Sequence, residues 1–126
     1  MQPTRRPKLA PYLAVKDATS LVGFLEKGLG GKVTFVEKGS GGVIHHAEVR
    51  IADSVVMLAD VPAGRDPFPA MLHLYVPDVD AAYKKALKAG AVSVRKPANQ
   101  PDGDRRGGVR DLWGNEWWLT TPGGKA

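Results

Sequence analysis

Val15-Lys16-Asp17 and Val76-Pro77-Asp78 stand 61 residues apart, and Met57-Leu58 and Trp118-Leu119 are separated by the same 61 residues. A spacing kept at both ends marks an internal repeat, which decides the architecture before any single element does. Working outward, residues 9–15 and 71–76 read as alternating strands, each followed by an aspartate suited to cap a helix, Asp17 and Asp78. Leu21, Phe24, Leu25 and Leu29 then recur at helical spacing until Gly30-Gly31, and Val79, Ala82, Tyr83, Ala86 and Leu87 do so until Gly90. Three strands close each unit, at 32–38, 44–51 and 55–59 in the first half and at 92–96, 108–112 and 116–121 in the second. Ala52-Asp53-Ser54 and Trp113-Gly114-Asn115 supply the turns before the last strands. The pattern predicts an α+β chain of two β-α-β-β-β repeats.

A length of 126 residues suits one domain, and 43% hydrophobic with 25% charged residues argues against collagen-like, disordered and membrane-spanning chains. With no cysteine, disulfides, thiol nucleophiles and thiolate metal sites are excluded, leaving His, Asp and Glu as the strong candidate ligands. The net charge of +5 raises the question of an anionic polymer as partner. Its distribution argues against nucleic acid, because Arg5, Arg6 and Lys8 fall in a Pro-rich arm (1–8) and Lys84, Lys85 and Lys88 on the polar side of a helix. No stretch approaches the ~20 apolar residues of a membrane span, and residues 1–8 lack an export-signal core, so no membrane partner and a cytoplasmic location are expected. Residues 61–69, with Pro62, Gly64, Pro67 and Pro69, read as the linker between a first unit at 9–60 and a second at 70–122. Residues 99–108 read as a second long loop, either a plain connection or a ligand-covering lid. Its Gly107-Gly108 either lets backbone approach something closely or bends the chain.

Three strings carry a resemblance. They are the run from His46 through Glu48 to Leu58, the run from His73 to Ala82, and the run from Gly103 to Asp111, whose Gly108-Val109-Arg110-Asp111 continues through Gly114-Asn115 to Trp117. With the two repeats, they resemble the vicinal oxygen chelate superfamily, which contains glyoxalase I, fosfomycin and bleomycin resistance proteins, and extradiol dioxygenases. The nearest branch is similar to small bacterial proteins of the PhnB-like kind. The resemblance implies one domain over 1–126, a curved mixed-sheet cup of the glyoxalase/bleomycin resistance fold, and a homodimer. It also implies that metalloenzyme members place one ligand on the first and one on the last strand of each unit. Carried onto this chain, those positions are Ala10 and Met71, then Met57 and Trp118. None offers the oxygen or imidazole that a hard divalent ion wants, so no metal and no cofactor is expected. A shift of two residues keeps the strand face and would bring in His73 and Glu116; joined to His46 and Glu48, they are the alternative, a displaced set for a divalent metal. His45 points the other way.

The same face alternation predicts that Tyr12, Met57, Met71, Tyr75 and Trp118 line the concave face with His73 and Glu116 as polar points, and His46 with Glu48 as a further polar wall. Those side chains either pack on one another or receive an organic ligand. Other catalytic signatures are missing: no serine sits in a Gly-x-Ser-x-Gly elbow, and the glycines at 39–42 precede no helix. The leading expectation is a binding protein like the bleomycin resistance proteins that sequesters an aromatic or flat small organic molecule. The alternative is a metal-dependent glyoxalase-type lyase or isomerase, so whether the chain is an enzyme stays open. A third reading is a nucleic-acid or protein-interaction module. Because the chain is basic, a neutral or anionic aromatic compound suits it better than a cationic drug.

Overall fold

The repeat is realised as two units, residues 1–69 and 70–126, and the computed structural model describes residues 8–124. All but Lys8 of the expected N-terminal arm lies outside the described residues. The first unit runs β1 (Tyr12–Val15), α1 (Ala18–Leu29), β2 (Lys32–Lys38), β3 (Ile44–Ile51) and β4 (Ser54–Asp60). Its sheet has the order β1-β4-β3-β2, with β1 parallel to β4 and the other pairs antiparallel. The second unit runs β5 (Met71–Tyr75), α2 (Val79–Lys88), β6 (Val92–Asn99), β7 (Arg105–Arg110) and β8 (Glu116–Thr121). Its order, β5-β8-β7-β6 with β5 parallel to β8, is the same. Both sheets are mixed, and each carries one helix, as the repeat predicts.

The helix starts repeat down to single hydrogen bonds. Asp17 accepts the Ser20 N–H at 3.3 Å and Asp78 accepts the Ala81 N–H at 3.1 Å, each filling one orphan donor of a first turn. A second donor is met from the end of the last strand: Ala18 N–H donates to Asp60 Oδ1, and Val79 N–H to Thr121 Oγ1, both at 2.8 Å. Asp60 and Thr121 are again 61 residues apart. Alternation along the strands then sorts the faces. Leu13, Val15, Ala47, Val49, Val56 and Leu58 are buried on the side of α1, which contributes Leu21, Phe24 and Leu25. Burying each such leucine contributes about 1.5–3 kcal/mol. In the second unit Val109, Trp117 and Leu119 meet Val79, Tyr83 and Ala86 of α2 in the same way.

The turn into β8 is built on one buried carboxylate. Asp111 accepts from the Trp113 N–H (3.0 Å), the Asn115 N–H (2.9 Å), the Asn115 side-chain amide (3.0 Å) and the Trp117 indole N–H (2.9 Å). Asn115 Oδ1 in turn accepts the Ala70 N–H at 2.9 Å, which fixes the entry to β5. The Asp-x-x-Gly-Asn-x-Trp string is therefore a structural clasp.

Two expectations need correction. The first strand begins at Tyr12 rather than at residue 9, and Leu9 is exposed. The long loop is short: β6 extends to Asn99 and β7 starts at Arg105, with Asn99 paired to Arg105 and Ala98 to Arg106. Polar and glycine-rich composition reads as loop, yet these arginines are held by tertiary partners, Arg105 by Asp80 of α2 and Arg106 by Thr120. What remains is the turn at 100–104, closed by Gln100 N–H to Asp104 O (2.7 Å) and Gly103 N–H to Gln100 O (3.0 Å). A five-residue closed turn replaces the ten-residue loop.

Candidate functional site

The expected site residues lie on strands of both units, and each unit holds a group of its own. In the first unit Tyr12, His46, Glu48 and Met57 come together. The register sets Tyr12 beside Met57 and Met57 beside Glu48. His46 Nε2 lies 2.8 Å from Glu48 Oε2, and its Nδ1 lies 2.9 Å from the Tyr12 hydroxyl. Nε2 facing the carboxylate and Nδ1 facing the phenol join Tyr12, His46 and Glu48 in one hydrogen-bonded chain. Glu48 is 1% exposed and Tyr12 47% exposed, so the chain runs from surface to interior. Partial burial, and second the negative charge of Glu48, push the Tyr12 phenol above its ordinary pKa.

In the second unit Met71, His73 and Trp118 line a pocket of about 460 Å³ together with Leu72, Arg95 and Arg106. Across the sheet, His73 pairs with Trp118, Trp118 with Gly108, and Gly108 with Arg95. The indole lies down over Gly108: a Cβ there would meet Trp118 Cε3 and Cζ3 at 2.8 Å, closer than real contacts allow. The close approach suspected for Gly108 is thus to an aromatic side chain. The Trp118 indole N–H donates to Glu116 Oε1 at 3.2 Å, and Glu116 Oε2 accepts from Arg110 at 2.6 Å. Those two contacts, Arg110 foremost, hold the Glu116 carboxyl below its ordinary pKa. His73 Nε2 is 2.6 Å from Thr120 Oγ1, which also accepts from Arg106 Nε at 3.1 Å, and the imidazole stacks on Tyr75 at 4.9 Å. Tyr75 and Glu116 therefore support the wall residues without lining the pocket. Sequence reading missed Leu72, Arg95 and Arg106; Arg95 was legible only through its register opposite Gly108, which bulged β6 hides.

A model of the Glyoxalase/Bleomycin resistance protein/Dioxygenase superfamily matches residues 8–119. The chain belongs to this superfamily. It is 36% identical to an uncharacterized protein of Mycobacterium bovis over 92% of its length and 84% of that protein's. It is also 36% identical to an uncharacterized protein of Mycobacterium tuberculosis, covering 75% of it. Among solved structures it is similar to TioX from Micromonospora sp. ML1, with a TM-score of 0.76, 26% identity, and coverage of 91% and 95% of the two chains. A glyoxalase-related enzyme from Fulvimarina pelagi shares the fold at a TM-score of 0.73 and 18% identity, over 93% and 88% of the two chains.

The register sets Tyr12 beside Met57 in the first unit and His73 beside Trp118 in the second. Neither pair, a phenol with a thioether in the first unit or an imidazole with an indole in the second, is by itself a fitting donor set for a divalent ion. Among the described residues no three or more His, Asp and Glu side chains gather as a metal would require. Among them also, no helix is long and apolar enough to cross a membrane.

Proposed function

We propose that this superfamily member is a binding protein that captures an aromatic or otherwise flat small organic molecule in the pocket on the sheet of its second unit, without a metal or other cofactor and without chemistry of its own. The observation that carries the reading is the Trp118 indole lying over Gly108 beside a pocket whose remaining walls are Met71, Leu72 and the imidazole of His73. A rigid ring face offers stacking worth about 0.5–1.5 kcal/mol beyond area burial, and a methionine wall adapts to ligand shape. This is the bleomycin-resistance manner of using the scaffold, on a chain whose strings are similar to the PhnB-like branch. Nucleic acid and membrane have no part in it, the setting is the cytoplasm, and the working form is a homodimer. A thermal-shift screen of flat organic compounds, followed by calorimetry with Trp118→Ala, tests it: stabilisation by such compounds that is lost with the indole supports the reading. Compounds that bind equally well without the indole would overturn it.

The metal-dependent lyase or isomerase reading requires His46, Glu48, His73 and Glu116 to leave the partners they hold. His46 is committed between Tyr12 and Glu48, His73 to Thr120, and Glu116 to Arg110 and Trp118. Metal analysis of the purified protein separates the two: about one tightly held transition metal per chain, lost in His46→Ala or His73→Ala, would favour the enzyme.

A further inference from the structure

We propose that Arg95 makes the second-unit pocket selective for flat aromatic molecules bearing a carboxylate, so that its natural ligand is an aromatic acid. The inference rests on the aromatic-binding reading of the same pocket and adds a charge requirement to it. Four arginines stand on β6 and β7, and three are committed. Arg105 is paired with Asp80 at 2.8 Å, Arg110 with Glu116 at 2.6 Å, and Arg106 with Asp102 at 3.1 Å and Asp104 at 3.7 Å. Among the described residues the Arg95 side chain has no ion pair or hydrogen bond. Its guanidinium carbon instead lies 6.0 Å from the centre of the Trp118 ring. Gly108, between them in the row, contributes no side chain to separate the two.

The consequence is chemical. A guanidinium held near an aromatic face is weakly hydrated and keeps its N–H fork available, the geometry that takes a carboxylate through two parallel hydrogen bonds. A planar molecule stacked on Trp118 would therefore carry its anionic substituent toward Arg95. The pocket lining contains two arginines and no aspartate or glutamate, so nothing in the wall competes for the fork and a cationic ligand would be repelled. Arg106 cannot supply the same selectivity, because its Nε and Nη2 donate to Thr120 and Asp102.

The test is isothermal calorimetry at low and raised salt with two probes of the same shape, 2-naphthoate and 2-naphthamide, on the native protein, Arg95→Met and Trp118→Ala. Methionine retains most of the aliphatic bulk and removes the charge. The expected result is that native protein binds the naphthoate roughly 10-fold or more tightly than the amide, with the advantage shrinking at raised salt. Arg95→Met should weaken the naphthoate alone and bring the two probes together. Equal affinities in the native protein, or a preference that survives in Arg95→Met, would overturn the selectivity while leaving the aromatic pocket standing. Failure of both probes to bind, or binding unaffected by Trp118→Ala, would remove the pocket reading and this inference with it.

Discussion

The Tyr12 hydroxyl lies 2.9 Å from His46 Nδ1 across 34 residues of sequence, and through His46 it is linked to a carboxylate, Glu48, that water hardly reaches. Partial burial of the phenol is the larger reason its proton is retained, and the nearby negative charge is the second. Tyr12 should therefore titrate above the ordinary tyrosine value, and Glu48→Gln should move it back toward that value. Absorbance near 295 nm against pH, with Tyr12→Phe to assign the transition, reads this directly. The sign for stability follows from the raised folded value. The contribution is complete below the unfolded tyrosine pKa and is lost as pH rises through the folded one. A Tyr12 transition at or below the ordinary value would contradict the arrangement.

The Asp111 clasp predicts a stability effect of its own. Asp111→Ala leaves the buried Asn115 N–H and Trp117 indole N–H without their acceptor, at about 1–3 kcal/mol for each orphaned group. We expect a loss of about 3 kcal/mol in urea unfolding, seen as a lower midpoint at unchanged slope. A loss under ~1 kcal/mol would mean that water replaces the carboxylate.

The helices, their aspartate caps and the β-α-β-β-β succession of each unit were legible because they depend on short-range periodicity, and the repeat checked each half against the other. The same logic even located Met57 and Trp118 as equivalent positions. It failed where polar residues are held in strands by distant partners. Arg105 and Arg106 looked like loop residues, and only Asp80 on α2 and Thr120 on β8 make them part of β7. Register lay beyond it: parallel pairing sets Tyr12 beside Met57 and His73 beside Trp118, and parallel pairing across an intervening helix leaves no local signal that fixes which residues stand opposite.

Acid should weaken the second unit in a defined window. Asp80 is held below its ordinary pKa first by its hydrogen bond from Arg105, and Glu116 first by that from Arg110. A depressed folded value means stability that is present above the unfolded carboxylate pKa and lost as pH falls through the folded one. The melting temperature should therefore drop as pH falls below ~4. In Asp80→Asn the deficit relative to the native protein should be largest near neutrality and close in acid. A deficit that is constant with pH would mean that the Asp80–Arg105 pair contributes nothing through its charge.

Several large apolar side chains are open to solvent in the single chain, among them Leu9 (90% exposed), Leu112 (76%), Phe68 (75%) and Met71 (73%). Two-fold pairs are the commonest assembly of a soluble chain, and a second copy would cover such side chains. Light scattering at micromolar concentration should give the mass of two chains. A monomer mass would remove the homodimer.

The final prediction concerns the indole. Trp118 can lie over the sheet because residue 108 is glycine, so Gly108→Ala should lift the ring while leaving its chemistry intact. Trp118→Ala removes the stacking face itself. If stacking dominates capture of a flat ligand, Trp118→Ala should weaken binding by about 1–3 kcal/mol, the range of a packed aromatic anchor, and Gly108→Ala by a smaller amount in the same direction. His73→Ala should cost less than either, because its Nε2 is already engaged by Thr120. A chelator should change neither affinity nor melting temperature. Calorimetry with 2-naphthoate separates the cases. An affinity unchanged in Trp118→Ala but lost with His73→Ala, or on chelation, would shift the site from a stacking surface to a polar or metal centre.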